Sequence, residues 1–202
     1  MDFRNLVPLA AMPAMLVVVE LVALILSRPL QEAGVAAFED PTSVANPFIF
    51  LGILLLFTLF LLALIHFGVK RLIGAIIAIS LFFTFLYVFG ALAAYLFPTD
   101  GLASLAVLAL SVGATALLYR YPEWYVIDSL GILLAAGVAS IFGISLAILP
   151  VLILLVLLAV YDAISVYRTK HMITLAEGVL SQRVPILFVV PRRRGYSFIQ
   201  EG

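Results

Sequence analysis

Residues Pro150–Tyr167 read PVLILLVLLAVYDAISVY, an apolar run interrupted by a single acid, Asp162, directly after Tyr161. The run is long enough to cross a bilayer, which takes about 17–25 residues of helix. Arg168 and Lys170 mark where it leaves the hydrocarbon, six residues beyond Asp162. At 1.5 Å per residue the carboxyl lies on the order of 9 Å inside that edge. That is too deep for a short side chain to reach the interface. An acid at membrane depth costs about 2.5–3.5 kcal/mol or more, so it marks a candidate functional site.

The rest of the chain has the same character. Hydrophobic residues make up 65% of the 202 and charged residues 11%, with a mean hydropathy of +1.27. A soluble domain runs nearer ~45–50% apolar and ~25% charged, so this chain belongs in a bilayer. Six stretches qualify as spans: about 6–26, 47–67, 72–97, 102–119, 126–148 and 150–167. The fold class that follows is all-α, a polytopic membrane helical bundle of six transmembrane helices. Its domains are the bundle at residues 1–167 and a cytoplasmic segment at 168–202. The first stretch reads as a membrane span and not as a signal peptide, because Pro8, Pro13 and Glu20 interrupt it, it runs too far and no clear small-residue cleavage site follows. A polar segment, Ser27–Asn46, separates the first two spans. A tight turn at Leu149–Pro150 separates the last two and makes them antiparallel neighbours.

Basic residues set the orientation. Arg4, Lys70, Arg71, Arg120, Arg168, Lys170, Arg183, Arg192, Arg193 and Arg194 fall on the side of the N-terminus, and only Arg28 falls opposite. Glu32, Glu39, Asp40 and Asp100 also lie on that opposite side. Both termini are therefore expected in the cytoplasm, with Ser27–Asn46 outside the cell membrane. Tyr119, Tyr121, Trp124 and Tyr125 gather beside Arg120 as an interfacial aromatic belt. In the fifth span Ala135, Ala139 and Gly143 recur every fourth position, which lets helices approach closely.

Beyond Tyr167 the pattern changes. Arg168–Gly178 (RTKHMITLAEG) reads as a mixed helix with Gly178 as its stop. Val184–Val190 (VPILFVV) is too short to span, and reads as a strand or an interfacial piece.

Two further acids touch spans. Glu20 lies deep in the first, where a structural pairing or an ion site both fit. Asp128 lies in the first turn of the fifth, where the helix dipole favours an acid. His66 and His171 have no matching ligand pair, so no metal site or cofactor is expected. The chain has no cysteine, which removes disulfides and thiol chemistry. No phosphate loop or HExxH motif occurs, and the Arg192–Arg194 run suits anionic lipid, not nucleic acid.

The phrase LLAVYDAISVYRTKHM around Tyr161-Asp162 resembles the presenilin and signal-peptide-peptidase family of intramembrane aspartyl proteases. In that family one catalytic aspartate follows a tyrosine in the sixth span. Tyr121–Gly131 (YPEWYVIDSLG), Ser140–Ser145 (SIFGIS) and the tail TKHMITLAEG look like archaeal presenilin homologues, so the likeness covers nearly the whole chain. It implies that Asp162 is catalytic and that Tyr161 packs in or lines the site wall. It also implies that Ile186, Leu187, Phe188 and Val189 pair as a strand with unwound substrate; an interfacial anchor is the alternative. The family's second aspartate, in a Gly-Xaa-Gly-Asp motif of the seventh span, is missing from this sequence, as is the Pro-Ala-Leu motif of the ninth. The expected partner is therefore a C-terminal portion with spans seven to nine, and the expected substrates are single-span membrane proteins. A proton- or ion-coupled transporter, or a noncatalytic scaffold, would also use an acid at depth. The transporter is disfavoured because no inverted repeat or paired broken span is visible.

Overall fold

Backbone N–H and C=O groups in hydrocarbon have no water to bond, so a spanning segment closes its hydrogen bonds within its own helix. The structure, a computed structural model, describes residues 3–97, 102–180, 188–190 and 196–201. These form α1 (Phe3–Glu32), α2 (Asn46–His66), α3 (Lys70–Leu96), α4 (Leu102–Arg120), α5 (Trp124–Ser145) and α6 (Ile148–Ala163). After α6 come a π-helical turn (Ile164–Arg168), α7 (His171–Leu180) and the short α8 (Phe198–Glu201). No strand occurs among the described residues. Among the described residues, six helices are long and apolar enough to cross a membrane, the sixth being α6 with its π turn. Leu24, Leu56, Leu102 and Val156 face outward and exposed, which lipid tolerates and water does not.

The helix ends depart from the sequence expectation in three places. First, α1 continues six residues past Leu26, to Glu32. Leu30 is fully buried, Arg28 pairs with Glu32 at 3.1 Å, and the Arg28 guanidinium lies 5.9 Å from the Tyr95 ring centre. The polar residues that suggested a loop are one face of a helix whose other face is core. Second, the break between the fifth and sixth spans falls at Leu146–Ala147, not Leu149–Pro150. Pro150 sits in the first turn of α6, where its missing N–H leaves nothing unpaired. Third, Gly178 does not stop a helix. The break comes earlier, at Thr169–Lys170, where Lys170 takes a φ of +56°, and α7 runs through Gly178. A Cβ there would lie 2.5 Å from Ile65 Cδ1, so the glycine allows α7 to approach α2.

The chain divides into two compact units. One comprises Met1–Ala36, Ser80–Phe142 and Pro185–Gly202; the other comprises Ala37–Ile79 and Gly143–Val184. The first is built on a cluster of Phe85, Leu118, Val126 and Ile127, with the Phe85 and Phe89 rings stacked at 5.7 Å. Its helices touch through small residues. The Ser140 hydroxyl donates to the Ala23 carbonyl at 2.6 Å, and a Cβ on Gly137 would meet Val88 Cγ2 at 2.4 Å.

In the second unit α2, α6 and α7 pack together. Gly68, at φ +70°, turns the chain out of α2. The segment after α1 folds over the break between α5 and α6. There the Ala37 amide donates to Ser145 Oγ at 2.7 Å and the Ala147 amide to the Pro41 carbonyl at 2.8 Å. Asp40 organises this strap by accepting from the Thr42 hydroxyl at 2.7 Å and the Thr42 amide at 3.0 Å. Those two donors hold its carboxyl below the usual carboxylate range.

Val88 is β-branched and fully buried, so it has little room to give way to a larger neighbour. Gly137→Leu is expected to cost about 1–3 kcal/mol, the range for overpacking, and to lower the thermal unfolding midpoint in detergent. Gly113→Leu, where among the described residues nothing beyond the local helix backbone lies within 4 Å of an added Cβ, is the control expected to leave the midpoint near wild type.

Candidate active site

Asp162 is the penultimate residue of α6, and the helix changes its winding directly after it. The Thr169 amide bonds the Ile164 carbonyl at 3.0 Å, a step of five residues in place of four. Single π turns inside α-helices concentrate at functional sites. Hydroxyls tie down the loosened carbonyls. Ser165 Oγ donates to the Asp162 carbonyl at 3.0 Å, while Thr169 Oγ1 lies 3.3 Å and 3.4 Å from the Ile164 and Ser165 carbonyls.

Neighbouring residues on a helix point about 100° apart, and Tyr161 and Asp162 have correspondingly different surroundings. The Tyr161 ring is partly buried against α2 and α7. Its hydroxyl lies 3.5 Å from Thr58 Oγ1 and 3.2 Å from His171 Nε2. His171 Nδ1 in turn lies 2.5 Å from Thr169 Oγ1. The Asp162 side chain is exposed and has no hydrogen-bond or ion-pair partner among the described residues.

The other acids are placed differently. Glu20 is exposed on α1. Asp128 is buried, and its Oδ1 accepts the Val189 amide at 2.8 Å while Oδ2 has no partner among the described residues. Glu123, just before α5, accepts the Ser197 hydroxyl at 2.6 Å on Oε1 and the Phe198 amide at 3.1 Å on Oε2. Two carboxylates thus hold Val189, Ser197 and Phe198 onto the start of α5. The Phe188 ring lies against Gly131, and Val189 and Phe198 join the apolar cluster. Of the proposed substrate strand, Ile186 and Leu187 lie outside the described residues; Phe188 and Val189 are irregular. No group of three or more His, Asp or Glu side chains that could hold a metal occurs among the described residues.

Sequence reasoning passed over Glu123, Thr58, Thr169 and the bonding of His171. Thr58 had a signal, as the one hydroxyl in the apolar run of α2. Glu123 and His171 had none, because their partners lie across helix breaks.

Comparison with known proteins gives the family. A family model described as signal-peptide peptidase, presenilin aspartyl protease matches residues 13–202. Two solved structures of a presenilin family intramembrane aspartate protease, in P2 and C222 space groups, are similar. The P2 structure is 61% identical with a TM-score of 0.72, and the match covers 86% of this chain and 70% of that one. The C222 structure is 56% identical with a TM-score of 0.69, covering 90% and 74% respectively. A search of curated proteins gives no match. The chain belongs to the presenilin and signal-peptide-peptidase family of intramembrane aspartyl proteases, a multi-pass membrane enzyme family.

Leaving the Val189 amide without its acceptor costs about 1–3 kcal/mol. Asp128→Ala combined with Glu123→Ala is therefore expected to raise amide hydrogen exchange at Val189 and Phe198 by about five- to hundredfold, since 1.4 kcal/mol is a factor of ten. Exchange within α2 should stay unchanged, and mass spectrometry of peptides reads both.

Proposed function

We propose that this chain supplies one of the two catalytic aspartates of an intramembrane protease, and that Asp162 is that residue. One observation carries the reading. The carboxyl of Asp162 is exposed, with no partner among the described residues, inside an apolar span beside a π turn. An isolated acid there is expensive, and a second carboxyl sharing one proton with it relieves the expense. Two close carboxyls cannot both ionise cheaply, so they titrate as a pair. The ionised member takes a proton from water. The protonated member hydrogen-bonds the scissile carbonyl and then protonates the leaving amine.

The second aspartate belongs to a C-terminal portion with spans seven to nine, carrying the Gly-Xaa-Gly-Asp and Pro-Ala-Leu motifs. The relatives' greater length supports such a portion. Residues 1–167 form the N-terminal bundle of that enzyme and 168–202 the cytoplasmic segment after the sixth span. Both termini lie in the cytoplasm, as the basic residues indicate, and the enzyme sits in the cell membrane. Substrates are single-span membrane segments, which unwind before their peptide bond is reached. Ile186–Val189 hold the unwound strand, Val189 through its carbonyl because its amide is bonded to Asp128.

With the second aspartate present, Asp162→Asn is expected to lower cleavage of a single-span substrate by at least about 10²–10⁴-fold, the worth of a general acid–base group. The folded protein should persist on size-exclusion chromatography. Wild-type turnover by this variant would remove Asp162 from the mechanism. Leu187→Pro deletes one strand donor and should slow cleavage severalfold without loss of fold; unchanged turnover would refute strand pairing.

A further inference from the structure

We infer that His171 is a positioning residue for Asp162, acting through Tyr161; the inference rests on the catalytic reading of Asp162. The observations are a chain of polar contacts within one unit. Thr58 Oγ1, Tyr161 Oη, His171 Nε2, His171 Nδ1 and Thr169 Oγ1 succeed one another at 3.5, 3.2 and, across the ring, 2.5 Å. The rings of Tyr161 and His171 lie 5.8 Å apart. Thr169 then reaches the Ile164 and Ser165 carbonyls, and Ser165 Oγ bonds the Asp162 carbonyl. The imidazole therefore ties together both ends of the π turn: the Tyr161-Asp162 pair before it and Thr169 after it.

The proton inventory gives the chain a direction. The Thr169 hydroxyl donates to backbone carbonyls, so its oxygen accepts from Nδ1–H. Neutral His171 then presents Nε2 as an acceptor for the Tyr161 hydroxyl, and the Tyr161 oxygen accepts from Thr58. Every proton in the chain has an acceptor in this tautomer. Tyr161 has no freedom to rotate its ring without breaking the chain. Asp162 is fixed to it by a peptide bond, on the face about 100° away. A π turn alone is a pliable support, because its hydrogen bonds are spaced for a wider coil. With His171 in place, the azimuth of the carboxyl about the α6 axis is set by side chains of α2 and α7 as well as by α6 itself. A positional error of 1 Å in a reacting group costs up to about 10²-fold in rate.

The test compares His171→Ala, His171→Gln and His171→Asn in the protease with both aspartates, reconstituted in lipid vesicles with a single-span substrate. Glutamine places its amide where Nε2 stands and keeps the bond to Tyr161. Asparagine reaches only as far as Nδ1 and keeps the bond to Thr169. His171→Ala is expected to lower kcat about ten- to hundredfold with KM unchanged. Glutamine should restore most of kcat and asparagine little. Tyr161→Phe added to His171→Ala should cost less than the sum of the two single losses, because the two share the Tyr161–His171 contact. Wild-type kcat in His171→Ala, a loss confined to KM, or rescue by asparagine equal to that by glutamine would overturn the inference. If His171→Ala does not fold, the glutamine and asparagine variants decide alone. Asp162→Asn runs alongside: activity there refutes the catalytic reading, whereas an inactive Asp162→Asn with fully active His171 variants refutes only the positioning role.

Discussion

Hydrocarbon forces a helix to satisfy its own backbone, and α6 does so without interruption until it reaches the residues after Asp162. There the bonding step lengthens from four residues to five. The extra carbonyl capacity is taken up by the hydroxyls of Ser165 and Thr169. This local solution permits the rest of the second unit to form. It ends the sixth span, lets Lys170 adopt its left-handed turn, and sends α7 back along α2, where Gly178 admits Ile65. A regular helix through Arg168 would leave His171 away from Tyr161 and the hydroxyl chain unmade.

The polar groups inside the apolar mass fall into two kinds. Asp128, Glu123, Ser140 and Ser111 are buried, and each has hydrogen bonds that join segments or close a local turn. They hold the scaffold, much as small and hydroxyl residues join helices in lipid generally. Asp162 is different in having no such duty. Its own backbone is secured by neighbours, and its carboxyl is left exposed. Support and exposure are thus separated: the backbone is tied down while the carboxyl keeps its hydrogen-bonding capacity.

The span pattern was legible because apolar length is a strong signal, and each of the six helices begins and ends within a few residues of its apolar run, except at the end of α1. That end was misread because Ser27, Arg28 and Glu32 look like loop residues in isolation; Leu30, which buries the opposite face, is only one letter among them. Asp162 was legible for the converse reason, as a charged letter in an apolar run. His171 was not, since its partner Tyr161 sits ten positions away across a change of helix winding that leaves no periodic trace. The clamp by Glu123 and Asp128 depends on contacts more than sixty residues apart in sequence, and such pairings have no local signature. The glycines misled in a similar way: Gly178 reads as a stop but serves a close approach.

The strap over the start of α6 has a mechanical meaning. With the Ala147 amide held by Pro41 and Ser145 held by Ala37, the first turn of the sixth helix is pinned by the strap. Asp162 lies fourteen residues along from Ile148, about 21 Å of helical rise. A rod held at its head by the strap and at its foot by the Thr58, Tyr161 and His171 contacts resists sliding along its own axis. The axial position of the acid is therefore referenced to two clamps at opposite ends of one helix, both made by residues of the second unit.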